Sequence, residues 1–200
     1  AEEFQRAKAP PLANVLGLTL CAPALLEFGT EKQKLRHLEK ILSAEEIWVQ
    51  GYSEPGAGSD LAGLSTRAEL DGDEYVVNGQ KIWTTSGMHG DWIFCLVRTD
   101  PTVKKQSGIG FLLIDLATPG VEVRPIVNAT TDRDFCEVFL NDVRVPAENM
   151  VGAPGIRTDQ RRRALPAALV GASHRVRGAA PGGARGARGA EGRPPARSGV

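Results

Sequence analysis

The chain has 200 residues, 42% of them hydrophobic, and its 24 Lys and Arg balance 24 Asp and Glu. That length holds one ordinary domain, or one with an incomplete second. The charge is uneven: residues 1–155 carry 14 basic and 22 acidic side chains and residues 156–200 carry 10 Arg and 2 acids, so the body is too acidic to present a nucleic-acid surface.

The first segment, residues 1–47, reads as helical and as the end of a helical domain, in a chain that begins inside a longer protein. Leu12, Val15, Leu16, Leu18, Leu20, Leu25 and Leu26 are too dense for a one-sided stripe, which predicts a well-buried helix. Gly17 and Pro23 interrupt this stretch, so it is too short to span a membrane. Glu2, Glu3 and Pro10-Pro11 stand where a signal peptide has a basic start. Gly29 is placed to end the helix with positive φ. Thr30 with Gln33 forms a capping box for a second helix, with Leu35, Leu38, Ile41 and Leu42 on its apolar face. Ser43 with Glu46 repeats the capping signal and predicts one more turn.

From Trp48 the period becomes strand-like. Residues 65–70, 75–78, 80–85, 92–98, 110–115, 121–127 and 136–140 are short β-rich runs, and Asp71-Gly72, Asn78-Gly79 and Pro119-Gly120 read as turns between them. Close spacing predicts an antiparallel barrel or sandwich over residues 48–155, giving an α+β chain overall. Cys21, Cys95 and Cys136 lack CxxC spacing and read as reduced core thiols of a cytoplasmic protein, not as metal ligands. His37, His89 and His174 share no ligand spacing, and Asp91, Asp115 and Asp142 read as turn formers.

Two clusters carry the chemistry. The run Tyr52-Ser53-Glu54-Pro55-Gly56-Ala57-Gly58-Ser59-Asp60 follows the first strand. Its glycines let backbone N–H groups approach a ligand, its Ser hydroxyls offer hydrogen bonds, and Pro55 pre-sets one φ. The second cluster, Trp83-Thr84-Thr85-Ser86, supplies an aromatic wall and further hydroxyls. A redox cofactor ring needs both. Taken without further context, these residues read first as a capped strand end and a core Trp.

The first cluster resembles the signature loop of the acyl-CoA dehydrogenases. Asn78-Gly79-Gln80-Lys81-Ile82-Trp83-Thr84-Thr85 resembles their second flavin-contact strand. The run from Val138 to Pro146, with Asn149 and Gly152, resembles the end of their β-domain. The resemblance covers roughly residues 12–155 and implies the last part of an N-terminal helical domain and the middle domain, with the C-terminal four-helix domain absent. It implies FAD as cofactor and α,β-dehydrogenation of an acyl-CoA thioester, a carboxylate removing the α-proton while hydride passes to flavin N5. It further implies that Gln50, Tyr52 and Ser53 lie against the flavin ring. Trp83 would flank the ring, Thr85 would bond near N5, and Thr84 would face away and contribute through its backbone. Ser59 would meet the acyl-CoA or the FAD pyrophosphate. Glu54 would hold the loop or pair with a cation, since the family's general base belongs to the absent domain. Electron-transfer flavoprotein as electron acceptor and a homo-oligomer are implied for the full-length parent. Turnover by the chain alone is expected to be negligible.

Residues 156–200 contain no Phe, Trp or Tyr and are dominated by Ala, Arg, Gly and Pro, a composition that predicts a disordered basic tail. An out-of-frame sequence and an RNA- or acid-binding tail both fit. Two other functions stay open beside the dehydrogenase: a non-catalytic β-domain that acts only by binding, and a flavin monooxygenase or oxidase on the same fold.

Overall fold

A computed structural model describes residue 6, residues 12–129 and residues 131–152. The expectations for the tail lie outside these residues. The first helical stretch contains a π-turn, Gly17–Cys21, that leads into α1 (Ala22–Phe28), with Ala22 N–H donating to Gly17 C=O. Pro23 sits in the first turn of α1 and has no N–H to give. One side of this stretch is exposed, at Leu12, Val15 and Leu26, so it is less buried than its apolar density suggests. Gly29 is extended, with φ −71° and ψ 151°, rather than left-handed.

Helix α2 (Glu31–Ser43) starts on the predicted capping box: Gln33 N–H donates to Thr30 Oγ1 and Thr30 N–H to Gln33 Oε1. Its inward residues are Gln33, His37 and Ile41, while Leu35 is 83% and Leu42 70% exposed. The predicted apolar face is therefore only half right. Gln33 turns inward because its amide donates to the Glu148 and Met150 carbonyls at 2.7 and 3.1 Å. His37 turns inward because it packs edge-on against Trp48 and Trp92. The extra turn expected after Ser43 does not form. Ala44 takes a left-handed φ of 57°, and Glu46 folds back to accept from Arg36 at 2.7 Å. Asn14 ties the helices to the sheet: it donates to Ile41 and Glu46 C=O and accepts from Trp48 N–H, each at 2.9 Å.

The strands are β1 (Trp48–Gly51), β2 (Arg67–Asp71), β3 (Glu74–Thr85), β4 (Trp92–Arg98), β5 (Ile109–Asp115), β6 (Val121–Ile126), β7 (Phe135–Pro146) and β8 (Met150–Val151). They form one sheet in the order β6-β7-β3-β2-β4-β5-β8, with β1 added beside β4. The sheet is open and mixed, where an antiparallel barrel or sandwich was expected. β1 runs parallel to β4, and β2 meets β4 in parallel at Arg67–Arg98. Long connections, unlike tight hairpins, permit parallel neighbours, and some 40 residues separate β1 from β4.

β4 is buried on both faces. Trp92, Phe94 and Leu96 join the core under the helices, with Cys21, Leu25 and Trp48. Ile93, Cys95 and Val97 join a second core with Val77, Val138, Leu140 and Val143 of β3 and β7. Asn78-Gly79 is not a turn. It lies inside one 12-residue strand at a register shift against β7, and a Cβ on Gly79 would sit 2.7 Å from Thr66 Cα, so the bulge needs glycine.

Candidate functional site

β1 delivers the first cluster and β3 the second. Tyr52, just past β1, is buried with its ring edge-on to Phe94 at 5.9 Å. Burial pushes its phenol pKa up, against a hydrogen bond from the Gln50 side chain. Glu54 and Ala57 then close a two-residue turn over Pro55-Gly56: Glu54 N–H donates to Ala57 C=O at 2.8 Å and Ala57 N–H to Glu54 C=O at 3.1 Å. A Cβ on Gly56 or Gly58 would meet nothing within 4 Å, and neither residue has positive φ. The fold itself thus gives no steric reason for glycine here, whereas a ligand lying on the loop backbone would. Ser53 is half-buried, and Ser59 is exposed beyond the turn.

In β3 a second register shift falls between Lys81 and Thr84. Trp83 there takes a left-handed φ of 61°, a conformation costly for a bulky residue. The bulge leaves Trp83 57% exposed, touching Phe135 edge-on at 6.0 Å. The expectation of a flanking wall requires such exposure, and a plain core Trp would be buried. Thr84 faces the other way and is buried, its Oγ1 without a hydrogen-bond partner among the described residues. Thr85 is exposed and lines a 190 Å³ cavity with Ser86, Leu12, Leu16 and Val49. A larger hollow of 780 Å³, walled by Arg36, Glu46, Met88, Trp92 and Leu116, includes none of the seven candidate residues.

The two clusters meet. Ile82 N–H donates to Ser53 C=O at 2.9 Å, and beneath that bond lies Lys81, fully buried. Its ammonium donates to Glu54 Oε1 at 2.8 Å, Leu96 C=O at 2.7 Å and Tyr52 C=O at 3.3 Å. Glu54 also accepts from Ser65 N–H and Oγ at 2.6 and 2.8 Å and from Thr66 N–H at 2.9 Å. Burial raises the Glu54 pKa, but the Lys81 charge and hydrogen bond, together with the Ser65 amide, override it and hold the carboxyl down at about 2. Glu54 therefore pairs with a cation and holds the loop. Sequence reasoning missed Lys81. Its neighbours Gln80, Thr84 and Thr85 are polar too, so the run carries no signal of an inward cation.

One β-domain thus joins a Gly-rich, Ser-bearing turn to a strand that exposes a Trp. The pattern "Acyl-CoA dehydrogenase, middle domain" matches residues 50–143, and the chain belongs to the acyl-CoA dehydrogenase family. Acyl-CoA dehydrogenase IpdE1 of Mycobacterium tuberculosis is 49% identical over 154 residues, 77% of this chain and 40% of that protein. Its counterpart in Mycolicibacterium smegmatis is 47% identical over 77% of this chain and 42% of that protein. Among solved structures, the ChsE4-ChsE5 complex from Mycobacterium tuberculosis shares 36% identity at a TM-score of 0.73, over 86% of this chain and 42% of that one. The Tcur3481-Tcur3483 steroid ACAD shares 34% identity at a TM-score of 0.70, over 86% of this chain and 45% of that one. The chain thus spans about two fifths of the length of the curated relatives it matches.

Proposed function

We propose that the chain provides the flavin- and thioester-facing part of an FAD-dependent acyl-CoA dehydrogenase that introduces an α,β double bond. The observation that carries this reading is the junction of the two clusters at the Ile82–Ser53 hydrogen bond, next to an exposed Trp83 on a strained backbone. FAD, when bound, supplies the hydride acceptor. The chain's own part is to bind and orient. Gln50, Tyr52 and Ser53 hold the ring edge, Trp83 excludes water from one side, and Thr85 donates a hydrogen bond. Thr84 contributes only backbone, and Ser59 meets the acyl-CoA or the pyrophosphate. The open backbone at Gly56 and Gly58 fits such a ligand.

Proton abstraction falls to a carboxylate outside the described residues. Glu54 is neutralised by Lys81 and saturated by three further donors, so it has no lone pair to spare. Turnover by this chain alone is accordingly negligible, since a displaced base forfeits roughly 10²–10⁴-fold. An electron-transfer flavoprotein as acceptor and assembly into a homo-oligomer belong to the same proposal. The exposed Leu35 and Leu42 support the assembly. A cytoplasmic location accords with three free, buried cysteines, and no helix among the described residues is long and apolar enough to cross a membrane. Steroid-derived acyl-CoAs belong in the substrate panel, because one similar structure is described as a steroid ACAD.

The test is titration of the chain with FAD followed by visible absorbance, then anaerobic addition of acyl-CoAs. A saturable band shift without bleaching is the expected result. Rapid bleaching would contradict the assignment of the base. A second reading, an oxidase, draws support from the prolyl acyl carrier protein oxidase AnaB, 32% identical at a TM-score of 0.64 over 72% of this chain. Oxygen consumption by a longer, flavin-loaded form distinguishes the two.

A further inference from the structure

Among the described residues, Lys81 is a fully buried cation that joins three separate segments: the loop after β1 through Tyr52 C=O and Glu54, and β4 through Leu96 C=O, all bonded from β3. An ammonium has three protons to donate, and each has an acceptor here. The residue next along β3, Ile82, makes the backbone bond to Ser53, and Trp83 follows at the bulge. A buried ion pair of this kind adds little net stability over apolar packing, and its best-attested value is in fixing register. The base of the turn is held as well by Ser65 and Thr66 at Glu54 and by the Ile82–Ser53 bond, while its tip is loosely packed. The space around Gly56 and Gly58 is open, and Ser59 is exposed.

We propose that Lys81 is a positioning residue: bonded to Glu54, Tyr52 and Leu96, it sets the spacing between the Ser53 loop and the Trp83 strand. The proposal rests on the flavin reading for its functional consequence. A cation at this depth grips two backbone carbonyls and one carboxylate and so defines where both clusters stand. An apolar side chain fills the same volume but leaves the loop tethered by its own turn, by Ser65 and Thr66, and by the Ile82–Ser53 backbone bond.

The test is amide hydrogen exchange on the full 200-residue chain, wild type against Lys81→Met, with FAD titration of both. Protection of the Ala57 and Ile82 amides is expected to fall by about tenfold or more beyond the fall, set by the loss of global stability, that is shared by the amides pairing β4 with β5 and β6 with β7. FAD affinity is expected to fall by about tenfold in parallel. Uniform loss of protection across the sheet would overturn the proposal, because Lys81 would then be general core support. Unchanged Ala57 and Ile82 amides would overturn it too. Should Lys81→Met fail to give a protected core, Glu54→Gln carries the same comparison, with the same local pattern expected. A wild-type chain that binds no FAD refutes the flavin reading, and the exchange pattern still decides the role of Lys81.

Discussion

Acidification with and without Glu54 offers a quantitative prediction. The folded carboxyl lies at about 2 against an ordinary 4.5, so the unfolded chain takes up this proton first. The stability it contributes is complete above pH 4.5 and is lost as pH falls toward 2. A tenfold change in proton affinity is worth about 1.36 kcal/mol, which gives about 3 kcal/mol for the whole window. Glu54→Gln at neutral pH strands the buried Lys81 charge, and breaking a buried pair costs about 3–5 kcal/mol. The two figures describe the same interaction and agree. Urea melts of wild type and Glu54→Gln at pH 6, 4, 3 and 2 should show a gap of about 3 kcal/mol at pH 6 that closes by pH 2. Parallel profiles, with the gap unchanged by pH, would refute the paired, low-pKa carboxyl.

Trp83→Ala should change stability by less than about 1 kcal/mol, because the ring is exposed and loses only its contact with Phe135. FAD affinity in that variant should fall about three- to tenfold in a fluorescence-quench titration. Gly58→Ala should melt like wild type and bind FAD more weakly, whereas Gly79→Ala should cost about 2–4 kcal/mol in a urea melt, from backbone strain and the clash with Thr66. Burial, then the neighbouring Arg36, lowers the His37 pKa below its ordinary 6.5. The unfolded state therefore protonates first, and stability should decline as pH falls below 6.5. Thermal melts from pH 7.5 to 5.5 should show this slope in wild type and a flatter one in His37→Phe.

What was legible in the sequence was local. The Thr30–Gln33 box pairs groups three residues apart, and the hairpin at Asp71-Gly72 needs only one positive φ, at Gly72. The signature loop was equally plain, because its glycines and serines sit in one run. What stayed hidden was set by distant partners. Lys81 is 27 residues from Glu54, and nothing around Gln80 or Ile82 marks it as inward. Gln33 and His37 displaced Leu35 and Leu42 from the inner face because they satisfy Glu148, Met150 and the Trp48–Trp92 pair, all remote in sequence. Asn78-Gly79 looked like a turn because its dipeptide preference is local, while its use as a bulge was decided by the close approach of Thr66. The parallel placement of β1 beside β4 likewise joins strands some 40 residues apart, which no single strand reveals.

The most direct measurement is the visible spectrum of FAD titrated with the folded chain, beside the Ser53→Ala and Trp83→Ala variants. A saturable shift in the wild type that both substitutions weaken, with unchanged melting, is the predicted result. A folded wild-type chain that leaves the FAD spectrum unaltered at every concentration would contradict it.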